Sequence, residues 1–285
     1  MSAKRISVVV GAGSVKCAAA IGLMNVLNRE GIRVDRLVGC SGGSLYAATL
    51  ACGYDGRTVA AMTMKLWTRE LTSQKNRRAT LAMMMPRLFG FSERFGMRSD
   101  RKILHALRTA FGDRRIEDLP IPLHLTATDF HTGEQVVLSS GDLVQAIRAS
   151  IAIPFLFEPV EVDGRLLFDG FLSDPLPVGV PIREGADIII AMGFESPYQT
   201  HVNSGVRFAL QVSSIMTNNL LKSNYAFHNL AHHAEILAII PQFRQRIRLF
   251  DTEKIPSIIE DGERATEEQL PYLLRMLHEP MTVTA

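Results

Sequence analysis

Ser41 lies in Gly39-Cys40-Ser41-Gly42-Gly43, a G-x-S-x-G pentapeptide that could present a nucleophilic hydroxyl. That chemistry needs a strand before the serine and a helix after it. The turn between them is so sharp that only small neighbours such as Gly39 and Gly43 fit, and the helix N-terminus steadies developing negative charge. A serine also needs a base. His228, His232, His233 and His278 come late in the chain, and none follows an expected strand end. Asp169 is the better candidate, because it ends the expected strand Arg165–Phe168 and Gly170 opens the backbone behind it. Asp129 follows Leu125–Thr128 in a similar way and competes for the role, whereas Asp174, before Pro175, reads as a turn residue.

Gly11-Ala12-Gly13-Ser14-Val15-Lys16 is the second segment that could do chemistry. It falls short of a dinucleotide fingerprint, whose third glycine is replaced by Lys16, and it lacks the G-K-[ST] of a P-loop. The remaining functional reading is an oxyanion hole built from backbone N–H groups at a helix start, with Gly11, Gly13, Ser14 and Lys16 as candidates. For both glycine segments the structural alternative is an ordinary strand-to-helix turn. Lys16 either lends charge to the site or caps the sheet edge.

Those residues need elements to hold them. Ile6–Val10 is β-branched, as in a strand covered on both faces, and a helix is expected over Cys17–Arg29 with Gly31 ending it. A second strand, Val34–Val38, runs into the serine turn and a helix over Ser44–Ala51. This order implies a parallel sheet with helical crossovers. Further strands are expected at Leu123–Thr128, Gln135–Leu138 and Ala186–Met192, with a hairpin turning at Asp163-Gly164. A helix over Asp142–Ser150 and long helices over 205–237 and 256–277 complete the pattern, and Glu279–Ala285 reads as a frayed tail. Neither a repeat nor a linker divides the 285 residues, so one domain is expected.

The composition narrows the partners. With 31 Lys+Arg against 29 Asp+Glu the net charge is +2, far from the basicity of a dedicated nucleic-acid binder. The charge is uneven. Residues 57–115 hold eleven Arg and three Lys against Glu70, Glu93, Asp100 and Asp113, a local +10, which leaves −8 for the rest. Six of the twelve Met and the single Trp, Trp67, also lie there. The band shows no strand pattern and reads as inserted helices and loops. It is either a solvated face or an interfacial surface, with Arg77, Arg78 and Arg87 as candidate contacts to anionic groups. Near the N-terminus, Val8–Leu27 is about as long as a membrane span. Lys16 in its middle would cost roughly 2.5–3.5 kcal/mol at bilayer centre, so strand, turn and helix is the preferred reading. Three irregularly spaced cysteines (Cys17, Cys40 and Cys52) form no disulfide or zinc pattern and point to a reducing, cytoplasmic setting, with a peripheral place at the inner membrane face as the variant.

The glycine turn ending in a basic residue, then G-x-S-x-G, then Asp169-Gly170-Phe171 together resemble a bacterial patatin-like phospholipase. Thr126-Ala127-Thr128-Asp129, the stretch from Ala146 to Pro154 and Pro175-Leu176-Pro177-Val178 extend the likeness over about residues 6–193, weakest across 57–115. The resemblance implies a three-layer α/β/α fold with a mostly parallel sheet and the basic helical segment inserted. It implies a Ser41–Asp169 dyad that cleaves lipid esters without metal or other cofactor, with N–H groups around Gly13 and Ser14 on the oxyanion, and it gives Asp129 a structural role. It also makes His228 and His232, at i and i+4, a hydrogen-bonded or solvated helix face rather than a metal site. Two positions depart from the pattern: Cys17 and Phe171 stand where small residues are usual. An acyltransferase, a thioesterase and a non-catalytic lipid-binding module remain alternatives.

Overall fold

The computed structural model describes residues 4–278 apart from 67, 73, 197, 199, 200, 232 and 233. Trp67, His232, His233 and the expected frayed tail therefore lie outside the described residues. The helical elements that open the chain alternate with strands: β1 (Ile6–Val10), α1 (Ala19–Arg29), β2 (Arg36–Cys40) and α2 (Gly42–Ala51). The basic band then forms α3 (Gly56–Leu66), α4 (Arg69–Thr72), α5 (Arg77–Met84), α6 (Pro86–Phe89) and α7 (Arg101–Phe111). After it come β3 (Leu123–Asp129), β4 (Gln135–Leu138), α8 (Leu143–Ser150), β5 (Val160–Val162) and β6 (Arg165–Asp169). The last elements are α9 (Gly179–Arg183), β7 (Ile188–Met192), α10 (Gly205–Ala231), β8 (Glu235–Ile239) and α11 (Ile255–His278).

These strands form one sheet in the order β5-β6-β3-β2-β1-β7-β8, with β4 paired to β3. The five strands β3, β2, β1, β7 and β8 are parallel, while β4, β5 and β6 enter antiparallel. Both faces of β1 are covered, which is why all five of its residues are buried. Val8 and Val10 point into the larger core with α1, α2, α8 and α11. Val9 joins Val38, Ile189 and Ala191 in a smaller core closed by α9 and by Leu221 of α10. Helices α1 and α11 cross closely. A Cβ on Gly262 would stand 2.2 Å from the Ala19 carbonyl oxygen, so the crossing depends on glycine there.

The register of β3 explains how distant residues meet. Thr126 pairs with Cys40 at the end of β2, and the next residue, Ala127, pairs with Asp169 at the end of β6. Strand β2 runs parallel to β3 and β6 runs against it. Their C-terminal ends therefore converge on adjacent residues of β3.

Several expected boundaries move. The helix expected over 205–237 stops at Ala231, and Glu235–Ile239 becomes β8 at the sheet edge. Leu237 and Ile239 are buried there, so pairing with β7 overrides a pattern that reads equally well as helix. The helix expected from Cys17 begins with a 3-10 turn, Ser14–Ala18, and only then becomes α-helical. The serine helix starts at Gly42 rather than Ser44.

Candidate active site

Strand β2 delivers Ser41 in a backbone conformation that L-residues rarely adopt, with φ 54° and ψ −129°. Such a residue costs about 1–3 kcal/mol and is held by its surroundings. Three bonds hold it: the Ser41 N–H donates to Ser150 Oγ at 3.0 Å, while Ser41 O accepts from Ser44 N–H at 2.9 Å and Ser44 Oγ at 2.6 Å. Ser150 Oγ in turn donates to Thr126 O at 2.6 Å, anchoring the elbow to β3. The side chain of Cys40 points away, its thiol donating to Asp174 O at 3.4 Å.

Ser41 Oγ donates to Asp169 Oδ2 at 2.7 Å. Asp169 is completely buried, and its other oxygen accepts the Phe171 N–H at 3.1 Å. Burial pushes its pKa up to about 7; the bonds from Ser41 and Phe171 and the positive charge of Arg148 act in the opposite direction. A buried carboxyl that ionises near neutrality, bonded to a strained serine, suits proton abstraction.

Arg148 lies on α8, its side chain 2% exposed. Its Nε donates to Asp100 Oδ2 at 2.6 Å and Nη2 to Glu158 O at 2.8 Å, and the guanidinium lies over the Phe157 ring at 5.4 Å. Nη1 is buried with no partner among the described residues.

The first glycine turn sits directly against the elbow. A Cβ on Gly42 would fall 2.6 Å from Ser14 N, and one on Gly43 would fall 2.2 Å from Val10 O. Ser14 also has positive φ, 53°, and its Oγ donates to Leu249 O at 2.6 Å. Gly13 is covered by Phe194, whose ring carbon would be 2.5 Å from any Cβ there. Of the four candidate oxyanion donors, the Gly11 N–H is bonded to Met192 O and the Lys16 N–H to Gly13 O. Gly13 lies under Phe194, and the backbone of Ser14 borders the elbow. Lys16 donates through Nζ to Glu195 O at 2.8 Å and lies over the Phe243 ring; burial lowers its pKa.

Residues 8–182 match the family model of the patatin-like phospholipases. The chain belongs to the patatin-like phospholipase family. An uncharacterized NTE family protein of Mycobacterium tuberculosis is 35% identical over 191 residues, 67% of this chain and 49% of its own length. The chain thus spans about half the length of that curated relative. Neuropathy target esterase sws of Drosophila melanogaster is 28% identical over 206 residues, 72% of this chain and 14% of its own. Among solved structures, VipD from Legionella pneumophila covers 95% of this chain and 67% of its own at TM-score 0.51 and 14% identity, a likeness of fold.

The patatin-like fold brings Ser41, Asp169, Gly170 and the Gly11–Lys16 turn together, with Gly39 and Gly43 packed under the elbow. A Cβ on Gly170 would meet Thr126 O at 2.5 Å. Asp129 is not part of this cluster: its Oδ1 accepts the N–H groups of His131 and Thr132, closing a turn, which holds its pKa below the usual range. Asp174 caps its own turn by accepting Leu176 N–H at 3.1 Å. The roles of Ser150, Arg148, Phe194 and Leu249 were invisible in the sequence. Ser150 and Arg148 fall inside the matching Ala146–Pro154 stretch, but their partners come from elements remote in the chain. Cys17 is buried in the larger core, with its thiol bonded to Gly11 O at 3.3 Å and its pKa raised by burial.

Proposed function

We propose that the protein is a lipid acyl hydrolase that cleaves carboxylic esters of the phospholipid, lysophospholipid or simple ester type through the Ser41–Asp169 dyad. The observation that carries this reading is the 2.7 Å bond from a strained serine to a wholly buried aspartate. Ser41 Oγ attacks the ester carbonyl carbon while its proton passes to Asp169 Oδ2. The N–H groups of Gly13 and Ser14 hold the oxyanion, and the start of α2 adds favourable dipole. Asp169 returns the proton to the leaving alcohol. Water, activated by the same carboxylate, then releases the acid and regenerates Ser41. Neither metal nor cofactor enters this scheme.

A fluorophosphonate probe tests the nucleophile. Mass spectrometry should find the label on Ser41 and lose it in Ser41→Ala. A wild-type protein that stays unlabelled would favour the non-catalytic lipid-binding alternative. Product analysis with an added alcohol or thiol separates hydrolysis from acyl transfer and thioester cleavage.

The same proposal gives the basic band a peripheral contact with anionic membrane, on the cytoplasmic side. Arg77 and Arg78 on α5 and Arg87 on α6 are exposed beside exposed Leu81, Met83, Leu88 and Phe91. Neutralising the three arginines should weaken binding to anionic vesicles, and most strongly at low salt, because each exposed cation near such a surface is worth about 1 kcal/mol. Unchanged binding in a flotation assay would remove the band from the contact.

A further inference from the structure

Helix α10 is the longest of the described helices at 27 residues, yet among its described side chains only a narrow strip is buried. Thr217, Asn218 and Leu221 face the body of the protein. Asn218 fastens the helix just past β7, accepting Ser196 N–H at 2.7 Å and donating to Ser196 O at 3.0 Å. Lys222 reaches the Glu195 carboxylate at 3.5 Å, and the carbonyl of the same Glu195 takes the ammonium of Lys16. The helix is thereby tied to the sheet edge at which Ser41 stands.

Its other side is apolar and exposed. Phe208, Val212, Ile215 and Met216 recur at helical spacing on one face, with Phe208 62% and Met216 66% exposed. Single exposed apolar side chains are ordinary, but a continuous stripe marks an interaction surface. The charges indicate what covers it. Over Gly205–Ala231 the sequence has Arg207 and Lys222 and not one Asp or Glu. An apolar face flanked by Arg207, on a helix with no carboxylate of its own and with Lys222 shared with Glu195, complements an anionic bilayer, with the apolar side chains at the acyl boundary and Arg207 among headgroups. Two copies packed through this face would bring Arg207 of each against a helix that carries no carboxylate of its own. No helix among the described residues is long and apolar enough to cross a membrane, so a helix lying in the interface is the geometry that fits.

We propose that α10 is a membrane-docking helix whose Phe208–Met216 face enters an anionic lipid surface. Its purpose rests on the lipid-ester reading above; its test does not, because the test reads binding. The full chain is floated with vesicles of equimolar phosphatidylcholine and phosphatidylglycerol. In the double variant Phe208→Glu, Met216→Glu the vesicle-bound fraction should fall about tenfold or more, while hydrolysis of a soluble short-chain ester is unchanged. Ser41→Ala should float like wild type, so loss of chemistry and loss of docking are read separately. The proposal is overturned if wild type does not float, or if the double variant binds undiminished. It is equally overturned if sedimentation shows a wild-type dimer that the double variant converts to monomer, since the face would then join two copies of this chain.

Discussion

Ser41→Ala is expected to lower ester hydrolysis at least about a thousandfold, since the nucleophile itself is removed and only binding and oxyanion stabilisation persist. Asp169→Asn should cost about a hundred- to ten-thousandfold, the usual contribution of a positioned base. Asparagine still accepts the Ser41 hydroxyl but cannot take its proton. The two variants should differ in stability. In the folded protein Asp169 ionises near 7, well above the ordinary aspartate value of about 4, because its charged form is desolvated. Between those two values the folded state binds a proton that the unfolded chain has released. Folding stability therefore falls as pH rises through this window, and above about 7 the full penalty, on the order of a few kcal/mol, is in place. Asp169→Asn removes the penalty and should melt above wild type at pH 8 but close to it at pH 4. Wild-type activity should run the other way, rising with pH through about 7 as the base ionises. Calorimetry and a pH–rate profile on the same preparations check both halves. A fully active Asp169→Asn, or an activity flat from pH 5 to 9, would remove the dyad.

The second large effect is at Gly43. A methyl group there would lie 2.2 Å from Val10 O and 2.6 Å from Gly11 O, both backbone atoms of the first strand and its turn. Neither can rotate away as a flexible side chain would. Gly43→Ala should therefore destabilise by about 3 kcal/mol or more, by forcing the elbow and the glycine turn apart. For a chain of this size that corresponds to a melting temperature lower by about 6 °C or more. Residual folded enzyme should also lose activity, because the same displacement moves Ser14 relative to Ser41. Gly205→Ala is the matched control: a Cβ at Gly205 meets nothing within 4 Å, and its melting temperature should barely change. Equal melting of the two variants would show that the elbow tolerates a side chain.

The legible part of the site was the part written in short local signals. A pentapeptide between strand and helix marked Ser41, and a strand end followed by glycine marked Asp169. Asp129 competed with it, because Leu125–Thr128 ends in the same way, although Phe130 rather than a glycine follows. What separates the two is register. Asp169 stands beside the end of β2 because β6 meets β3 one residue beyond Cys40, a long-range pairing that no window of residues encodes. Ser150 and Leu249 escaped for a related reason: each touches the site through one hydrogen bond from a distant element. The error at Glu235–Ile239 has a different cause. Five residues with four aliphatics suit either a helix end or an edge strand, and the open edge of β7 decides.

Arg148 carries a consequence for how this fold can diversify. Its guanidinium links three parts of the chain: helix α8, the approach to β5 through Glu158, and the inserted band through Asp100. The insertion is therefore not an exchangeable cover laid over an independent catalytic body. Its Asp100 neutralises a cation buried in that body. Grafting another relative's insertion onto this scaffold would succeed only when the incoming segment brought a carboxylate to the same place, or when residue 148 changed with it. Changes in the inserted band and in the body beneath it are coupled through this buried pair, alongside the more exposed Arg94–Glu161 and Arg108–Asp142 pairs.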